Sequence, residues 1–220
     1  MTILFTQHWD VIPGKFDEYS EFVTNEYNPT LNKIGLKLLG GYYVAVGQGP
    51  RILAVATIDE TNYLRKILAT KEYRDITVKL FRYVQKYSSK LWVSSGRMVL
   101  QESYKIQMGA WKFNQNYNVV PGKEDEHYHF VKEECIPGMK QLGVPITGAW
   151  RLLIGEGATT LAECTGRALE DIAKAIDSTM FRQLVRKLKK TYGTDYSSRI
   201  LAPTGRIELP SMVDQMMKGF

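Results

Sequence analysis

The chain has 220 residues, of which 44% are hydrophobic and 24% charged, and it carries a net charge of +6. That is the composition of a soluble globular protein, long enough to bury roughly 70% of its unfolded surface. It contains no apolar run of the ~18 residues a membrane span needs, no basic-then-apolar leader and no zinc-finger spacing or basic tail, so neither membrane nor nucleic acid is an expected partner.

The densest basic cluster, Arg186, Lys187, Lys189 and Lys190, reads as a solvated helix face. The cytoplasm is the expected location. Cys135 and Cys164 fall in different elements and read as buried thiols, with no disulfide or metal site.

The chain opens with partial apolar–polar alternation from Ile3 to Val11, which predicts a strand. Pro13-Gly14 turns it into a helix over residues 15–34, where Phe16, Tyr19, Phe22, Val23, Tyr27 and Leu31 form one apolar stripe. Pro29 interrupts that helix and Gly35 ends it. Strands follow over 38–46 and 51–58, joined by the turn Gly47-Gln48-Gly49-Pro50. Helical sequence resumes over 62–69, Thr70 reads as the N-cap of a helix from 71 to about 86, and residues 90–93 start a fourth strand.

The pattern then repeats. Val11-Ile12-Pro13-Gly14-Lys15 returns as Val119-Val120-Pro121-Gly122-Lys123, an offset of 108 (121 − 13). Pro29 returns as Pro137, Gly35 as Gly143, Gly47 and Gly49 as Gly155 and Gly157. After a one-residue insertion Gly96-Arg97 returns as Gly205-Arg206. Prolines and glycines fix backbone geometry, so their recurrence means one supersecondary unit built twice. The second copy predicts strands over 107–117, 146–154, 159–165 and 198–202 and helices over 123–142 and 169–190.

Each copy reads β-α-β-β-α-β, the ferredoxin-like split unit, with helices on one sheet face. The middle strands, including Tyr42-Tyr43-Val44-Ala45-Val46 and Ile52-Leu53-Ala54-Val55-Ala56, are apolar at both phases. The far sheet face is therefore expected to be covered, most simply by the other repeat's sheet about 10 Å away. The expected fold is α+β: two tandem ferredoxin-like βαββαβ repeats packed sheet to sheet as an intramolecular pseudo-dimeric α/β barrel. Repeat 1 would span residues 1–101, repeat 2 residues 102–210, and a C-terminal tail 211–220. Met212, Val213, Met216, Met217 and Phe220 make that tail apolar enough to dock onto another copy of the chain.

Pro13-Gly14-Lys15, the helix residues Glu18, Tyr19 and Phe22, Pro29, Gly35 and the glycine-bearing hairpin carry a resemblance, matched by Pro121-Gly122-Lys123, Glu126, Phe130, Pro137 and Gly143. With these residues the chain resembles the dimeric α/β-barrel superfamily, above all its NIPSNAP-like and antibiotic-biosynthesis-monooxygenase-like domains. The resemblance spans nearly the whole chain, twice. It implies a site in the cavity between helices and sheet, or between the two sheets. Members include cofactor-free monooxygenases, haem enzymes, isomerases and proteins without known activity, so the fold carries no one function. Haem members use an axial His. Here His8, His127 and His129 are not duplicated between repeats, and no cofactor or metal is expected.

Several side chains depart from the core pattern. On the first strands the even positions are polar, so Thr6, His8, Lys112, Asn114 and Asn116 either line a pocket or, at the strand's open end, are merely wet. His127 replaces Tyr19 on the helix stripe, where it is a general base or a core imidazole. Arg151 and Glu163 replace Tyr43 and Val55 in adjacent strands that otherwise bury everything, which suits a site or a structural ion pair. Tyr43 and Trp150 would supply aromatic walls or simply pack. The functional expectation is a small-molecule enzyme, a cofactor-free oxygenase or isomerase acting on an apolar or aromatic substrate. Its catalytic candidates are His8, Arg151, Glu163 and His127, and its substrate-binding candidates Thr6, Asn114, Asn116, Tyr43 and Trp150. The alternative is a non-catalytic NIPSNAP-like binding or interaction protein with a filled interior. A cavity of roughly 300 Å³ or more with convergent polar groups would separate the two.

Overall fold

The computed structural model describes residues 3–58, 60–95 and 109–205. Arg97, Arg206 and the tail over 211–220 lie outside the described residues, and with them the proposed tail-mediated docking. The fold is α+β. It divides into two compact units. The first takes the described residues of Met1–Val44, Gly49–Leu91 and Pro203–Phe220, and the second those of Ala45–Gln48 and Trp92–Ala202.

In the first unit β1 (Ile3–Val11) pairs antiparallel with β3 (Ile52–Ile58), and β3 with β2 (Lys37–Val46). β4 (Val84–Ser94) begins here and flanks β1. The helix after β1 is not continuous. It runs as α1 (Phe16–Phe22), a π-helical turn over Val23–Tyr27 and α2 (Asn28–Lys33). The cause is Pro29, which has no N–H to donate back along the helix, so the turn before it widens. Gly35 then closes the helix at φ +92°, a conformation in which a Cβ would meet the Tyr63 hydroxyl. α3 (Thr61–Leu68) and α4 (Lys71–Leu80) complete the helix layer. As expected, Thr70 caps α4, its hydroxyl accepting from Tyr73 N–H at 3.1 Å.

The second unit repeats the plan. Its strands are ordered β8-β5-β7-β6: β5 (Trp111–Val119), β6 (Ile146–Ile154), β7 (Thr160–Gly166) and β8 (Gly193–Pro203). Its first helix is α5 (Glu124–Phe130), a π-helical turn over Val131–Cys135 and α6 (Ile136–Gln141), with Pro137 in the place of Pro29. Its second is α7 (Leu169–Asp177), α8 (Thr179–Lys187) and a π-helical turn over Leu188–Tyr192. Ser178 caps α8 as Thr70 caps α4, at 3.1 Å from Phe181 N–H.

The last strand of each repeat starts earlier than expected. β4 starts at Val84, where helix was predicted, and β8 at Gly193. The reason is a bulge. Lys86 and Asp195 both sit at φ 53°, and between Asn116 and Asn118 the β5–β8 register takes in an extra residue of β8. A left-handed residue breaks the period-2 alternation by which a strand is recognised.

Candidate functional site

The helix-facing side of each sheet carries the odd positions of its first strand. In the first unit those are Phe5, Gln7 and Trp9, and the space above them is full. Trp9 is 1% exposed, donates to the Tyr19 hydroxyl at 3.0 Å and stacks on Tyr87. Gln7 Nε2 donates to the Tyr27 hydroxyl at 3.0 Å and to the Tyr87 hydroxyl at 2.8 Å. Tyr43 packs on Phe16. Only about 20 Å³ of space remains among Trp9, Tyr19, Tyr27 and Tyr43.

The same place in the second unit is a cavity of about 510 Å³. Four replacements empty it. Trp9 becomes Tyr117, Tyr19 becomes His127, Tyr27 becomes Cys135 and Tyr43 becomes Arg151, and all four replacement residues line the cavity. Its floor is Ala149 and Ala162 on β6 and β7, and its apolar walls are Val131, Met139, Phe181, Leu184 and Leu188 from the helix layer. A largely apolar hollow with a few placed polar groups is how small-molecule sites are built.

The polar groups converge from three strands and one helix. His127, on α5, has Nε2 2.9 Å from the Tyr117 hydroxyl on β5; which atom donates depends on the tautomer. Burial, with Cys135, Tyr196 and Cys164 nearby, raises the Tyr117 phenol well above its ordinary range, so it stays protonated. Gln115 Oε1 accepts from the Tyr196 hydroxyl at 2.9 Å. Its Nε2, which in the first unit would have met two tyrosines, has the Cys164 sulfur at 3.8 Å. Burial pushes the Cys135 and Cys164 thiols up to about 12, so both remain weakly nucleophilic. Tyr117 and Arg151 each stand opposite Thr160 in register, so Tyr117, Thr160 and Arg151 form a row across β5, β7 and β6.

The structure separates the sequence-derived candidates. His127 and Arg151 line the cavity, and Trp150 borders it. Glu163 does not. It lies on the opposite face of the sheet, 2% exposed, accepting from Lys112 Nζ at 2.8 Å and from Trp150 Nε1 at 2.7 Å. Arg151 and Glu163 occupy neighbouring strands but opposite faces, and Lys112 is the cation at Glu163. Asn114 stands beside that pair, its Oδ1 buried with no hydrogen-bond partner among the described residues. Thr6 and His8 are buried on the corresponding face of the first sheet, 3.2 Å apart. Asn116 is half-buried and faces away from the cavity, and Tyr43 borders the small gap of the first unit. Sequence reasoning gave no role to Tyr117, Gln115 or Cys135. The signal was present in the repeat alignment, where Tyr117 and Cys135 stand in place of larger rings.

No family model matches the chain, and no curated protein matches it in sequence. Solved structures match it closely in shape. A "putative monooxygenase" from Fusobacterium nucleatum superposes with TM-score 0.64 at 11% identity, covering 92% of each chain. An anthrone oxidase-like protein gives 0.60 at 14% identity, over 92% of this chain and 91% of that one. A mutant chlorite dismutase from Candidatus Nitrospira defluvii gives 0.59 at 10% identity, over 94% and 93%. At these identities the likeness is one of fold, and that fold is the dimeric α/β barrel.

The imidazole lining the cavity, His127, has Nε2 engaged by Tyr117, and no three metal-binding side chains cluster among the described residues. No helix among them is long and apolar enough to cross a membrane.

Proposed function

We propose that the cavity of the second unit binds a small apolar or aromatic molecule and removes a proton from it, as a cofactor-free monooxygenase or isomerase must. The supporting observation is the contrast between repeats: one fold, one compartment filled by four aromatic rings, the other emptied and relined with Tyr117, His127, Cys135 and Arg151.

A substrate O–H or acidic C–H lies against the Tyr117 hydroxyl. Tyr117 takes that proton while passing its own to His127 Nε2, so no free tyrosinate forms in the apolar hollow. Gln115 Nε2 offers a donor to the substrate anion. Returning the proton at another carbon makes the reaction an isomerisation. Attack of the carbanion on dioxygen makes it an oxygenation. There a CH₂ carbon becomes a carbonyl, the second oxygen leaves as water, and the substrate supplies the electrons. Glu163, His8, Thr6, Asn114 and Asn116, on the other sheet faces, take no part in this chemistry.

Anthrone tests the reading, since its central CH₂ is acidic and its oxidation is visible. The expected result is deuterium incorporation from D₂O, or oxygen uptake, faster than without protein. Tyr117→Phe and His127→Asn should each slow it about 10²–10⁴-fold while folding normally. Turnover equal to the protein-free rate, or unaffected by both substitutions, would remove the catalytic role. Tight binding without turnover would favour a non-catalytic carrier.

A further inference from the structure

We infer that the molecule held in this cavity is an anion: a fused aromatic carboxylate whose charged end is read by Arg151. The inference rests on the cavity reading above and names the class of ligand for that same site. Arg151 borders the cavity yet is exposed, so its guanidinium stands at the mouth, and among the described residues it forms no ion pair. The position is not a surface site that happens to be charged. In the first repeat it is Tyr43, packed on Phe16 and closing the compartment. Replacing that ring by a cation opens the mouth and places a bidentate carboxylate partner there.

The row Arg151–Thr160–Tyr117 sets the distance. Two strand spacings place the outer Cα atoms about 10 Å apart. A fused ring system spans that interval, with its carboxylate at Arg151 and its reacting edge at Tyr117. Between them the floor is Ala149 and Ala162, small enough for a flat ring to lie on the sheet. Glu124 also borders the cavity and would oppose an anion, but it has an interaction of its own. The chain's net charge of +6 favours the approach of anions.

Fluorescence titration with anthracene-2-carboxylate and its neutral carboxamide tests this. The carboxylate should bind at least ten-fold more tightly than the amide. Arg151→Gln should bring that preference close to unity, chiefly by weakening the carboxylate, and added salt should weaken the carboxylate more than the amide. Ala162→Phe, which fills the floor, should abolish both. Equal binding of the two probes, or a preference that survives Arg151→Gln, overturns the anionic ligand and leaves the cavity reading standing. Failure of both probes to bind the unaltered protein counts against the inference and the cavity reading together.

Discussion

At the scale of single residues, the buried Lys112–Glu163 pair is an electrostatic risk. Both side chains are under 5% exposed. Taking charges out of water costs more than a lone ion pair returns, and removing one partner leaves the other stranded. Glu163→Leu should therefore cost about 3–5 kcal/mol in chemical denaturation, and the double variant Lys112→Met/Glu163→Leu much less. A loss in the double variant equal to the sum of the two single-variant losses would show that the pair is not energetically coupled. That Glu163 and Arg151 were out of place was legible in the sequence, because they interrupt strands apolar at both phases. Their separation onto opposite faces was not. The bulge between Ile146 and Gly148 shifts the β6–β7 register by one residue, and one residue exchanges every side chain between faces.

At the scale of elements, the two N-caps are equivalent and their loss should read alike. Thr70→Ala and Ser178→Ala each remove a side-chain acceptor from a helix start and should each lower stability by about 1 kcal/mol. A much larger loss in either would mean that the hydroxyl also ties the helix to its neighbours. The order of the elements could be read from glycine, proline and alternation, and the left-handed glycines at 14, 35, 47, 49, 122 and 143 stand where turns or helix ends were predicted. The π-helical turns and the early starts of β4 and β8 could not. A widened turn ahead of Pro29 or Pro137 keeps the apolar stripe nearly intact, and a bulge at Lys86 or Asp195 scrambles the period that reveals a strand.

At the scale of the whole molecule, the repeats should respond oppositely to exchange at one position. Tyr27→Cys would open a hole in a packed compartment and strip Gln7 of a partner, costing about 2–5 kcal/mol. Cys135→Tyr would project into a space already empty, leave the melting temperature equal or higher, and block ligand binding. A large destabilisation by the second variant would show that the cavity is not open as described.

Alkaline stability is also a property of the whole chain. Cys135 and Cys164 stay protonated in the fold to about pH 12, against 9.0 ordinarily, and Tyr117 and Tyr196 are raised as well. A raised acid means that the unfolded chain releases its proton first. Stability from these groups is therefore complete below about pH 9 and falls as pH climbs toward 12. The decline should be shallower in Cys135→Ser, and an unchanged pH profile would argue that the thiol is not buried.

The duplication gives a last consequence. A protein assembled from two identical chains must accept every substitution in both halves at once, so a change that hollows one compartment hollows its twin. Joined in a single polypeptide, the two copies can differ position by position, and here they do. One copy fills its compartment with Trp9, Tyr19, Tyr27 and Tyr43, and the other, with smaller or polar side chains at those places, has room for a guest.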